Sequence, residues 1–201
     1  MRKIISLSLL LFLGLSAVAQ TADNAKGVVA DLAQYIAKLG SYEAAFKLQV
    51  GDYVADGRYM VEGNAYHIVV GSAAEVYCDG KVRYEVDKER EEVNIDVVDA
   101  SSRNILDNPT RCFDFVGSDY SAIVVERGEE QVMLKLVSTD EKVEGEILLT
   151  LDAATYAPKE IEYRLYDERF NVKILSLAKS KSSPSKFDRS FYRNYEIIDF
   201  R

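Results

Sequence analysis

The chain has no tryptophan, one histidine, two cysteines and three prolines among 201 residues. Each shortage excludes something. The lone histidine, His67, cannot supply the paired imidazoles of a common zinc site, and any Ser-His-Asp machinery would have to use it. No G-x-S-x-G elbow accompanies it, and no P-loop or dinucleotide fingerprint occurs. Cys78 and Cys112 match neither a zinc knuckle nor a redox C-x-x-C, which leaves a Cys78–Cys112 disulfide or two buried thiols. No apolar run reaches the ~20 residues that a membrane helix needs. Positive charge is also short, with 25 Lys and Arg against 33 Asp and Glu and a formal net charge of −8. That balance argues against nucleic acid and against anionic membrane surfaces. The residues call for no cofactor and no metal.

The first stretch reads as an export leader. Met1-Arg2-Lys3 is a basic start, Ile4 to Leu15 is an apolar run of about a dozen residues, and Ala17-Val18-Ala19 is a small-x-small cleavage site. Residues 1–19 are therefore expected to be a signal peptide, and 20–201 a single exported, periplasmic domain. No cysteine follows the cut to take a lipid anchor.

Ala22 to Leu39 has helical spacing. Ala25, Val28, Val29, Leu32, Ile36 and Leu39 recur every three or four residues, and Gly40 follows where a helix ends in a left-handed residue. From Ser41 the period becomes two. Phe46, Leu48 and Val50 alternate with polar residues. Turns are expected at Gly51-Asp52 and near Asp56-Gly57, and then Tyr59, Val61, Tyr66, Ile68 and Val70 alternate. Val76 and Cys78 lead into Asp79-Gly80, a two-residue hairpin signal. Val82, Tyr84 and Val86 follow, then Val93 and Ile95, while Arg83, Glu85, Glu92 and Asn94 lie on the other side of those strands. Ser101 to Phe113 breaks the alternation at Asn108-Pro109 and reads as one or two short helical turns. Alternation resumes at Ile123, Val132, Ile147, Ile161 and Phe170. The last strand lies near Tyr195 to Phe200.

About ten or eleven short strands with an amphipathic helix indicate a mainly β fold, a barrel or sandwich. Such a curved sheet is filled by side chains and helices, or it keeps room for a ligand. Acidic clusters at Asp87 to Glu92 and Glu126 to Glu130 admit a carboxylate-pair hydrolase, although both sit in charged turns.

The order of motifs around the Asp79-Gly80-Lys81 hairpin resembles the periplasmic lipoprotein carrier family, the LolA-like proteins. Tyr84 stands where the family has an aromatic, Asp87 begins an acidic connection, and Glu92-Val93 starts the next strand. Phe46, Gly57 and Asn64-Ala65-Tyr66 look like the preceding strands. Asn108-Pro109 looks like a helix start, and Ile197-Ile198-Asp199-Phe200-Arg201 is similar to the final strand of Bacteroidetes-type members. The resemblance implies an unclosed antiparallel β-barrel whose concave face is covered by the N-terminal helix and short helices. It implies a non-enzymatic carrier that binds acylated lipoproteins. An inner-membrane lipoprotein-releasing transporter would hand the cargo over and an outer-membrane acceptor would receive it. The carrier itself is expected to be a monomer with no cofactor. Two positions depart from the family. Tyr84 stands in place of the usual tryptophan. Glu62 or Gly63 occupies the place of an arginine that latches the lid in better-known members.

Twelve residues are then expected to line a lipid-binding groove: Leu32, Ile36, Phe46, Leu48, Tyr59, Val61, Tyr66, Ile68, Val82, Tyr84, Val93 and Ile95. The alternative within the same chemistry is a module that senses an amphiphile or a mislocalised lipoprotein.

Overall fold

The computed structural model describes residues 25–98, 120–139, 145–165 and 168–201. The expected leader, the helical turns expected over Ser101 to Phe113, and Cys112 lie outside the described residues. A helix, α1, spans 25–39. It stops at Gly40, whose φ of +66° is the left-handed value expected of a helix-ending glycine.

Twelve strands follow: β1 (Tyr42–Val50), β2 (Tyr53–Glu62), β3 (Ala65–Val70), β4 (Ala74–Cys78), β5 (Val82–Asp87), β6 (Glu92–Val97), β7 (Tyr120–Arg127), β8 (Gln131–Ser138), β9 (Glu146–Asp152), β10 (Pro158–Leu165), β11 (Glu168–Lys179) and β12 (Glu196–Asp199). They form one sheet in the order β12-β6-β5-β4-β3-β2-β1-β11-β10-β9-β8-β7. Among the described strands β7 and β12 are the two edges, so the sheet is open and not a closed barrel. The twelve strands are one or two more than the expected ten or eleven, and the short β4 and β12 both pair along their length. All pairings are antiparallel except β12 on β6, which is parallel.

Two turns differ from expectation. No turn interrupts the chain near Asp56-Gly57: β2 runs straight through both residues. Gly57 faces Phe46 across the ladder. A Cβ there would lie 2.3 Å from Phe46 Cζ, so the Phe46 ring occupies the space a side chain would need. The glycine marks a close approach within a strand rather than a reversal. The second difference is the centre of the β4–β5 hairpin. Cys78 pairs with Arg83, and Asp79 N–H donates to Val82 O, so the central residues are Gly80 and Lys81. Gly80, at φ +91°, supplies the positive φ at the first central position. Asp79 Oδ1 accepts from the backbone N–H groups of Lys81 and Val82, both at 2.9 Å, and secures the turn.

The face of the sheet that carries α1 is called here the inner face. Residues opposite one another in a ladder share a face, so the register traces it from strand to strand. Tyr42, Val61, Tyr66 and Cys78 form one row of it. On the other half of the sheet, Ala122, Leu136, Ile147, Tyr163 and Phe170 form another. From β7 across to β4 the inner face is almost entirely apolar. The stripe of α1 docks there. Ala25, Val28 and Leu32 pack with Leu134, Leu149 and Leu151 of β8 and β9, and Ile36 and Leu39 reach the cluster of Tyr42, Val61, Tyr66 and Cys78.

The apolar side changes between β4 and β5. Cys78 and Val76 pair with Arg83 and Glu85, which continue onto Asp96 and Asn94 of β6. The inner face of β5 and β6 is therefore polar. Val82, Tyr84, Val86, Val93 and Ile95 point to the outer face, where residues 180–195 cross them as a strap before β12. Phe187 stacks on Tyr84 at 4.3 Å between ring centroids, and Tyr192 stacks on Phe187 at 5.5 Å. Within the strap, Asp188 caps the 3-10 turn Arg189–Tyr192 by accepting from Ser190 N–H at 2.8 Å.

Candidate functional site

The candidate site is the inner face, because it presents more apolar surface than α1 covers. A helix of this length spans about 22 Å and is roughly 10–12 Å wide with its side chains. β2 has ten residues, which at ~3.3 Å per residue is about three times that width. The cover is consequently uneven. Leu32, Leu134 and Leu151 are fully buried under the helix. Beyond it, Leu48, Val50, Ile68, Val70, Val172 and Ile174 are only partly buried, although all belong to the same inner rows.

Three tyrosines stand at the junction between the covered and uncovered parts. Tyr42, Tyr59 and Tyr66 meet edge to face, with centroids 6.2 and 6.1 Å apart. Burial raises the Tyr66 hydroxyl pKa, and the Cys78 thiol adds to the shift against the opposing Arg83 guanidinium. Cys78 is a free, buried thiol, its pKa raised by burial against a hydrogen bond from Gly80 N–H to Sγ at 3.2 Å.

At β5 the apolar rows end in a polar border. Arg83 Nε lies 3.1 Å from Glu85 Oε1, and Arg83 Nη2 lies 3.5 Å from Asp96 Oδ2. This border gives the inner face a direction, apolar from β7 to β4 and charged at β5 and β6. Among the described residues no group of His, Cys, Asp and Glu is arranged to hold a metal. The acidic turn residues Glu89, Glu91, Glu129 and Glu130 are all exposed.

The twelve sequence-predicted groove residues divide between the two faces. Leu32 and Ile36 lie on the docking stripe of α1, and Phe46, Leu48, Tyr59, Val61, Tyr66 and Ile68 lie on the inner face. Val82, Tyr84, Val93 and Ile95 lie on the outer face beneath the strap. The inner rows of β8, β9 and β11, which include Leu134, Leu149, Val172 and Ile174, were outside the predicted set. Their alternation is as regular as that of β1 to β3 and was the signal that could have found them. The proposed pairing of Cys78 with Cys112 falls on a residue outside the described ones.

A family model described as "Outer membrane lipoprotein carrier protein LolA" matches residues 15–166. The chain belongs to the LolA family. Its members are binding proteins that act in the periplasm. Solved structures align with the chain at low identity. An uncharacterized conserved protein from Thermus thermophilus aligns with a TM-score of 0.50 and 8% identity, over 88% of this chain and 99% of that one. A LolA superfamily protein from Nitrosomonas europaea aligns at 0.41 and 10% identity, over 84% and 96%. LprF from Mycobacterium bovis aligns at 0.45 and 12% identity, over 84% and 99%. No curated protein matches the chain significantly. Among the described residues no helix is long and apolar enough to cross a membrane.

Proposed function

We propose that this LolA family protein is an exported periplasmic carrier. It takes the acyl chains of a lipoprotein onto its inner sheet face and ferries them from inner to outer membrane without covalent chemistry. The observation that carries this reading is the almost entirely apolar inner face from β7 to β4, only part of which is buried beneath α1. Each methylene removed from water is worth about 0.8 kcal/mol. An acyl chain therefore needs a cover to cross an aqueous compartment, and the partly buried rows of β1 to β3 and β11 offer one. The polar border at Arg83, Glu85 and Asp96 suits the peptide end of such a cargo, which stays hydrated. A lipoprotein-releasing transporter as donor and an outer-membrane acceptor are the partners this role requires, and the leader read in residues 1–19 supplies export.

The test is direct. Delipidated protein mixed with a triacylated lipopeptide is expected to give a stoichiometric complex by native mass spectrometry. Ile68→Asp, which places a charge among the partly buried inner rows, is expected to abolish it while the circular dichroism spectrum stays unchanged. Absence of a complex with the unaltered protein overturns the proposal.

A further inference from the structure

The outer face of the sheet holds a trench of its own. Where β11 and β1 run side by side, three outward positions are small: Ser176 faces Ala45, and Ala178 faces Glu43, across the β1–β11 ladder. The register slips by one residue at Ala45/Phe46, and the small side chains leave the outer surface hollow there. The hollow is a cavity of ≈ 510 Å³ whose lining includes Glu43, Ala45, Arg58, Met60, His67 and Ala178. A second hollow of ≈ 340 Å³ shares Ala45, Arg58 and Val69 with the first and extends past Leu175 to Gly71. Volumes of about 300–1,000 Å³ are those of small-molecule sites.

Two polar side chains that line this hollow, Arg58 and His67, keep a polar group without a partner among the described residues. Arg58 makes no ion pair there although it borders both hollows. It stands diagonally across from His67, because Arg58 pairs with Val69 and Met60 pairs with His67. The Nε2 atom of His67 is buried and has no hydrogen-bond partner among the described residues. The other side of the imidazole is fixed by stacking on Tyr77, with ring centroids 4.4 Å apart. Asp56, at the far end of the second hollow, is already paired with Lys47 at 3.0 Å. The positive charge of the trench thus sits at Arg58, Glu43 being the one carboxylate among the described residues that line the first hollow, and apolar surface from Ala45, Val69 and Leu175 leads away from it.

We propose that this trench is a second binding site, separate from the inner face, for a single-chain amphiphile with a carboxylate head. The carboxylate lies on the Arg58 guanidinium, whose planar fork matches both oxygens. His67, as the Nε2–H tautomer, donates to the same head and so satisfies its buried nitrogen. The alkyl chain runs along the strands over Ala45, Val69 and Leu175.

Decanoate is the probe, titrated into the full-length isotopically labelled protein and followed by NMR. Binding is expected to shift the His67 ring and Ala45 amide resonances together. Arg58→Gln, an exposed substitution, is expected to weaken decanoate by roughly tenfold, the loss of one charge-assisted bidentate contact. Ala45→Leu fills the hollow from the outer face and is expected to remove decanoate binding while triacylated lipopeptide still binds. Decanol, with the same tail and no charge, is expected to bind the trench more weakly than decanoate. The proposal is overturned if decanoate does not bind. It is also overturned if its shifts confine themselves to inner-face residues such as Ile68 and Val172, or if Arg58→Gln leaves its affinity unchanged. Loss of lipopeptide binding with decanoate binding intact would instead remove the carrier reading and leave this site standing.

Discussion

Replacing Gly57 with alanine gives the sharpest test of how the inner face is built. In the interior of an ordinary strand this change stabilises by about 0.5–1 kcal/mol, because glycine gives up the most conformational freedom on folding. Here the sign should reverse. The new methyl would meet Phe46 Cζ at 2.3 Å, Cε2 at 2.4 Å and Cε1 at 2.9 Å, distances that atoms cannot hold. Phe46 is 9% exposed, so its ring has little room to move aside. Relieving the overlap demands an off-rotamer ring or a backbone shift, the overpacking penalty of about 1–3 kcal/mol. The upper bound is expulsion of the ring, which approaches the ~3–5 kcal/mol of truncating a buried phenylalanine. A net loss of about 2 kcal/mol is expected, a fall in melting temperature of roughly 4–8 °C for a domain of this size. Urea denaturation followed by circular dichroism reads it. The double variant Phe46→Ala/Gly57→Ala supplies the control. Once the ring is gone these three overlaps are gone with it, so the two changes together should cost at least ~1 kcal/mol less than their sum. A neutral or stabilising Gly57→Ala, or strict additivity in the cycle, would refute the packing argument.

Three further outcomes follow from the strap and the helix. Burial works to raise the Glu75 pKa, but hydrogen bonds from Lys88, Tyr77 and Tyr192 outweigh it and hold the group at about 2 against an ordinary 4.5. Its stabilising contribution is then complete above about pH 4.5 and is lost as pH falls from there toward 2; Glu75→Gln should flatten that limb of the stability–pH curve, and an unchanged limb would contradict the assignment. Tyr192→Phe removes a hydroxyl 2.8 Å from both Glu75 Oε2 and the Tyr77 hydroxyl, and should cost about 1.5–3 kcal/mol in urea unfolding with faster amide exchange in the strap. Leu32→Ala empties a fully buried position where α1 meets β8 and β9 and should cost about 2–5 kcal/mol, whereas Ile123→Ala, 48% exposed on β7, should change stability by less than ~1 kcal/mol.

Strand identity and helix placement were legible because each rests on a local period. The stripe from Ala25 to Leu39 and the alternation in β1 to β11 are visible in any short window, and each found its element. The face that each strand offers to its neighbour is a different kind of information. It passes through the turn, and the turn at Asp79 to Val82 carries it here. A hairpin with a two-residue loop joins positions of opposite parity, so an even-numbered residue before it shares a face with odd-numbered residues after it. Val76 and Cys78 must then face the same way as Arg83 and Glu85, and the apolar Val82, Tyr84 and Val86 must face the other way. The rule gives the same answer whether the loop is centred on Asp79-Gly80 or on Gly80-Lys81. The hairpin signal read from the sequence already implied that one apolar face could not continue through it. What no local signal announced was the second cover. Phe187 and Tyr192 precede the expected last strand in a stretch with no periodicity of its own, Tyr195 begins that strand, and only the crossing of the strap over the outer face of β4 to β6 brings them onto Tyr84 and Val93. That cover is what allows the chain to turn its apolar side outward at β5. The inner face can therefore end in Arg83, Glu85 and Asp96, which gives the apolar field beside α1 a boundary at β4 rather than leaving it open to the β12 edge.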